Sequence, residues 1–307
     1  MIMTVRGKIE DDDLGKTLIH EHILVDFRGA EFSKDKGYFI DEVVEIVLPY
    51  LLEIKELGYK TFVDCTPAYI GRDPELLLKL SNMSGLNIIT NTGFYCAGND
   101  KYIPRFAYDM TEKEISNIWI EEWKNGINGS VRPGFIKIGV DPGPLREIEK
   151  KIVKSACLTY HETGLTIACH TGEAQCALEV LSIIKDYDVP TSSLIIVHAD
   201  GIEKEVIWNL AEEGCFIEFD SVGGRPLEYH VDLIRKAVEK GVEDRLLISH
   251  DAGWYNVGEK DGGKERFRPY TTIEKELIPE LEKYFSKALS QKLLIDNPKR
   301  ALSIKKQ

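Results

Sequence analysis

The residues in this chain best suited to chemistry are His20, His22, Lys137, His170, His198 and Asp251. The first two stand in T-L-I-H-E-H-I-L-V and Lys137 in F-I-K-I-G-V; the others close T-I-A-C-H, L-I-I-V-H and L-L-I-S-H-D. Imidazole and carboxylate groups are ligands for divalent metal ions. Six ligating types in or at the ends of short apolar, strand-like runs read as one polynuclear metal site drawn from five strands. Residues two apart on a strand share a face, so His20 and His22 can chelate one ion while Glu21 points away and is structural. A lysine inside a barrel strand cannot stay charged and unpaired, because desolvation disfavours the ammonium. The neutral amine can combine with carbon dioxide to give a carbamate (N6-carboxylysine), a bidentate anion suited to bridging two cations. Asp251 can ligate a metal and exchange a proton with metal-bound water. Taken singly, each residue has a structural alternative: a hydrogen-bonded core histidine, a snorkelling lysine or a capping aspartate. The set together reverses that preference. His250, adjacent to Asp251, faces the other way, and with His161 and His230 is assigned to packing.

Positioning such a set requires strands that converge. The strand-like runs are Thr17–Val25, Lys60–Cys65, Asn87–Thr92, Phe135–Val140, Leu165–His170, Ser193–His198, Cys215–Phe219 and Arg245–His250. Amphipathic stretches alternate with them: Asp41–Leu57, Pro74–Met83, Glu112–Asn125, Leu145–His161, Ala174–Asp186, Ile202–Glu213 and Val231–Lys240. Within the first, Val43, Val44, Ile46, Val47, Leu51 and Ile54 recur near helical period, and Pro49 predicts a kink. Ile273 onward supplies the eighth helix and a C-terminal tail. Eight βα units without a compositional break predict a single-domain α/β protein, a (β/α)8 TIM barrel over residues 1–307 with extended βα loops. A doubly wound sheet is the alternative, but no Gly-rich phosphate fingerprint follows the first strand.

The net charge of −12 argues against a nucleic-acid or anionic-membrane partner. No signal-like or membrane-spanning apolar run is present, and the expectation is a cytoplasmic protein acting on a small molecule. The six cysteines form no CxxC pair and read as reduced core thiols.

The ligand set resembles that of the phosphotriesterase family of the amidohydrolase superfamily, in its lactonase-like branch. The segments L-I-H-E-H, G-F-I-K-I-G, H-T-G, H-A-D, S-H-D and D-N-P-K-R-A-L look like family segments, and the resemblance spans nearly the whole chain. It implies two divalent ions, zinc by default with manganese, cobalt or iron also compatible. His20, His22, Asp251 and carboxylated Lys137 would hold the buried ion; Lys137, His170 and His198 would hold the exposed one. It further implies a bridging hydroxide as nucleophile, Asp251 as general base and then acid, and a homodimer. Tyr95, in N-T-G-F-Y-C-A, falls where a tyrosine marks the lactonase-like branch, and could assist the leaving alkoxide or orient a lactone ring. The loop after the eighth strand departs from the longer apolar loop of acyl-homoserine lactonases. It offers Trp254 and Tyr255 as a wall, and Lys260, Lys264, Arg266 and Arg268 as anion contacts. Phosphorylated-sugar lactonases carry an arginine soon after the metal aspartate; here Ala252-Gly253-Trp254 follows, and Arg225 could supply that cation. The leading expectation is a binuclear metal hydrolase of lactones or carboxylic esters. A phosphoester or N-acyl amide hydrolase, or a non-catalytic small-molecule binder on the same barrel, stays open.

Overall fold

The computed structural model describes residues 1–305. Its centre is a parallel barrel of β1 (Thr17–Glu21), β2 (Thr61–Asp64), β3 (Asn87–Ile89, resuming at Asn91–Thr92), β4 (Phe135–Gly139), β5 (Ile167–His170), β6 (Leu194–Val197), β7 (Phe216–Phe219) and β8 (Leu246–Ile248). Each strand pairs in parallel with the next. The barrel closes between β8 and β1, where His20 N donates to Ser249 Oγ at 2.9 Å and Asp251 N to His20 O at 3.2 Å.

Between strands run α1 (Ile40–Glu56), α2 (Pro74–Ser84), α3 (Glu112–Asn125), α4 (Glu147–Thr163), α5 (Ala174–Asp186), α6 (Lys204–Glu212) and α7 (Leu227–Lys240). The alternation expected from hydrophobic period is therefore present, with ends shifted by a few residues. Two starts have clear local causes. Asp73 caps α2 by accepting from Glu75 N and Leu76 N, and Thr111 with Glu114 forms a capping box at α3. Helix α1 runs on through Pro49. The C-terminal region is more divided than one eighth helix: Ile273–Leu277 and Lys292–Asp296 are π-helical, flanked by short α-helical turns. An antiparallel hairpin of Ile2–Thr4 and Gly7–Ile9 precedes the barrel and was not anticipated.

Two apolar layers follow from strand alternation. Ile19, Val63, Ile89, Phe135, Ala168, Ile195, Phe216 and Leu247 fill the barrel's interior, with Ile2 from the hairpin and Leu302 from the C-terminal helix packed against them. Leu18, Phe62, Ile88, Ile136, Ile167, Ile196, Ile217 and Leu246 face outward into the shell of helices. All six cysteines are free and buried. Among the described residues, no helix is long and apolar enough to cross a membrane.

Candidate metal centre

The interior layer ends in polar groups at the C-terminal rim of the barrel, where loops of such barrels place their reactive residues. Lys137 follows Phe135 by two, His170 follows Ala168, Glu218 follows Phe216, and Asp251 follows Leu247 by four, all in register with the interior face. His20 and His198 reach the interior by exception. Ile19 already faces inward, and a register shift between Leu18 and Glu21 turns His20 inward as well. Val197 also faces inward, and His198 returns to the centre through a left-handed backbone with φ 60°. Asp251 has φ 48°. Both conformations are costly for side chains with a Cβ, by about 1 kcal/mol or more, and persist only where neighbours fix them. Asp220 accepts from His198 N at 2.9 Å. The Glu21 carboxylate accepts from Ser249 Oγ, His250 N, His250 Nδ1 and Ala252 N, at 2.6–3.1 Å. Glu21 is thus the structural clamp of the Asp251 turn, and His250 belongs to that clamp, its Nε2 accepting from Ile273 N.

The six expected ligands line one pocket of about 320 Å³, together with Tyr95 and Trp254. Asp251 Oδ1 lies 3.0 Å from His22 Nε2 and 3.7 Å from His20 Nε2. The rings of His170 and His198 are centred 4.2 Å apart, and those of His20 and His198 5.4 Å apart. Each histidine is held through Nδ1: His20 by Glu218 at 2.5 Å, His22 by Thr66 Oγ1 at 2.8 Å, His198 by Asp220 at 2.7 Å, and His170 by the Tyr95 hydroxyl at 2.9 Å. Such partners fix ring orientation and raise donor strength at the other nitrogen. Lys137 Nζ, lining the same pocket, is buried and has no hydrogen-bond partner among the described residues. A buried amine left so is costly, and conversion to a carbamate that ligates metal ions would satisfy it. On that observation the residues present fit a two-ion centre.

The electrostatics are those of a desolvated, mutually compensating cluster. Burial and Lys137 oppose protonation of His20, but Glu218 and Asp220 outweigh them and push it up to about 10. Burial lowers His22 against the pull of Asp251, and lowers His170 strongly, with His198 and Lys137 adding to the effect. Burial alone would raise Asp251, yet His22, His20 and His198 hold it below the usual carboxylate range. Glu218 is pushed up to about 7, chiefly by burial.

Glu218 and Asp220 escaped the reading of the sequence. The available signal was E-F-D at the end of an apolar strand, with two carboxylates on the face opposite Phe219. Of the proposed wall residues, Trp254 stands over His22 with ring centres 5.5 Å apart. Tyr255 does not reach the pocket. It lies on a two-residue strand paired with Leu24–Val25, where alternation sends it away from Trp254's side, and its hydroxyl donates to Glu42 at 2.9 Å. Of the loop's cations, Lys264 pairs with Asp261 and Arg266 with Glu259, Lys260 borders a separate surface cleft, and only Arg268 reaches the site, through the carbonyl of Asp251. Arg225 lines an adjoining cavity rather than the main pocket. Gly139 makes room for Tyr95: a Cβ there would collide with the tyrosine ring.

A parallel barrel with such a cluster at its C-terminal rim defines a class, the metal-dependent hydrolases, and comparison with known proteins agrees. The chain belongs to the phosphotriesterase family, whose model matches residues 1–302. An N-acetyltaurine hydrolase of Dictyostelium discoideum is 28% identical, covering 99% of this chain and 98% of its own. An aryldialkylphosphatase of Saccharolobus solfataricus is 28% identical over 80% of this chain and 79% of its own. The crystal structure of a lactonase from Listeria monocytogenes superposes with a TM-score of 0.85 at 26% identity, covering 99% of both chains.

Proposed function

We propose that the protein hydrolyses a carboxylic ester, a lactone above all, at a binuclear centre held by His20, His22, Lys137, His170, His198 and Asp251. The observation that carries this reading is the partnerless, buried Lys137 amine among four histidines whose Nδ1 atoms are all engaged. Two divalent ions, zinc by default, would supply Lewis acidity and a water made nucleophilic at neutral pH. The chain's own groups do the rest. Lys137, once carboxylated, would offer carboxylate oxygens to the ions. Asp251, kept ionised by the histidines around it, accepts the attacking water's proton and returns it to the leaving group. Tyr95 presents its hydroxyl beside His170, where it orients a carbonyl substrate or donates to the departing alkoxide. Phe27, Tyr102 and Trp254 exclude water on the apolar side.

An N-acyl amide is the second reading, favoured by the likeness over nearly full length to N-acetyltaurine hydrolases. The same groups serve it, with Asp251 returning the proton to an amine. One screen tests both: simple lactones, acyl-homoserine lactones, phosphorylated sugar lactones, N-acyl amino acids and phosphoesters, with Asp251→Asn as the blank. Turnover of a lactone or ester above that blank, lost by orders of magnitude in the variant, is the expected result. Turnover confined to phosphoesters, or equal in the variant, overturns it.

A further inference from the structure

The wall of the pocket that carries Tyr95 is held by a charge network outside the metal cluster. Asp141 stands just past β4, four residues after Lys137, and borders the same pocket. Its carboxylate engages the loop after β3. Oδ1 accepts from Gly98 N at 2.7 Å and Oδ2 from Asn99 N at 3.1 Å. Those two amides belong to three consecutive residues in left-handed backbone, Gly98 at φ 85°, Asn99 at 56° and Asp100 at 61°. Asn99 and Asp100 carry a Cβ, so this backbone is costly and persists only where neighbours fix it.

Arg146, at the start of α4, completes the clamp. Its Nη2 donates to Asp141 Oδ2 and to Glu149 Oε1, and its Nη1 to Asp100 Oδ2, each at 2.8 Å. Glu149 is buried and also accepts from Asp141 N and Arg146 N, both at 2.7 Å. One guanidinium thus gathers three carboxylates, from the loops after β3 and β4 and from α4. An isolated exposed ion pair contributes little. Here the pairs form a network, and the carboxylate of Asp141 takes backbone N–H groups in charge-assisted bonds, which are the stronger kind.

The loop so held carries aromatics of the pocket. Tyr95 bridges to Gly139, and Cys96 N donates to Gly139 O at 2.9 Å. Beyond the clamped residues the chain returns Tyr102 to the pocket, its ring centred 6.2 Å from Tyr95 and 6.3 Å from Phe27. Tyr95 in turn sets its hydroxyl 2.9 Å from His170 Nδ1. We propose that Asp141 and Arg146 are positioning residues: they fix the loop that packs Tyr102 against Tyr95, and so hold the Tyr95 hydroxyl in place beside His170. The catalytic consequence rests on the hydrolase reading above; the clamp itself does not.

The test is a double-mutant cycle on the metal-loaded full chain, with a simple lactone or an N-acyl amino acid, whichever the wild type hydrolyses. Asp141→Asn keeps its metal and loses about tenfold in kcat, with KM changing less, because the Tyr95 hydroxyl is displaced. In a Tyr95→Phe background the same substitution lowers kcat by about twofold or less, since the group it positions is gone. Arg146→Lys, which keeps a cation but cannot fork between Asp100 and Asp141, gives the same pattern. Arg235→Gln, whose partner is Asp232 on α7, changes neither number. Loss of metal in Asp141→Asn, an unchanged kcat, or an equal loss in both backgrounds overturns the proposal. Amide hydrogen exchange separates the two claims. Faster exchange over residues 95–102 in Asp141→Asn, with no compound hydrolysed by the wild type, sinks the hydrolase reading and keeps the clamp. Unchanged exchange there sinks the clamp.

Discussion

Glu218 Oε1 lies 2.5 Å from Nδ1 of His20, in a setting where both side chains are buried. This contact sets the ring of the first proposed ligand, whose Nε2 lies 3.7 Å from Asp251 Oδ1. Glu218 touches no reacting atom; its role is positioning. Glu218→Gln is expected to weaken metal affinity by about 10- to 100-fold. Chelator competition checks this directly, and unchanged affinity assigns Glu218 to packing alone.

Lys137→Ala removes the group proposed to hold both ions. The variant should fold, lose metal and activity together, and regain part of both with a short-chain carboxylic acid occupying the vacated space. Full activity without added acid removes Lys137 from the site.

Tyr95→Phe deletes only the hydroxyl beside His170. Metal content should hold while kcat on lactones falls by about tenfold or more, within the range of a lost proton donor. Unaltered kcat with a raised KM reduces Tyr95 to a wall of the pocket.

Those three residues also show what could be read in advance. Histidine and lysine within apolar strands are rare enough that five ligating positions stood out, Asp251 at the end of the last such run made the sixth, and the barrel followed from the alternation of runs that carry them. Glu218 and Asp220 are carboxylates in an acidic chain, so nothing in their type separated them from solvated ones until β7 placed them behind His20 and His198. Tyr255 was misplaced because its direction depends on pairing with Leu24–Val25, a contact between residues far apart in sequence. The inward turns of His20 and His198 rest on a register shift and a left-handed backbone, neither of which has a local signature. The π-helical turns of the C-terminal region are hidden from a reading of period for the same reason.

Away from the site, Asp73 gives a pH-dependent prediction for stability. Its Oδ1 caps α2 while Lys36 Nζ and Tyr38 Oη donate to Oδ2 at 2.8 and 2.6 Å. Burial would raise its pKa, but Lys36, Tyr38 and the helix N–H of Leu76 outweigh that, and it falls below its ordinary 3.8. A carboxylate depressed on folding contributes stability that is complete above its unfolded pKa and fades as pH falls through the folded one. Asp73→Ala should therefore cost about 1 kcal/mol at neutral pH. The gap from wild type should narrow only below about pH 4. Urea titrations across pH 3–7 give the comparison; a gap widening toward acid contradicts the assignment.

The most direct measurement is the metal content of the full chain, expressed with zinc supplied, alongside Lys137→Ala. About two ions per wild-type chain, falling steeply in the variant, is the expected result. Fewer than about one ion per chain, or equal content in the two proteins, contradicts a binuclear centre bridged by Lys137.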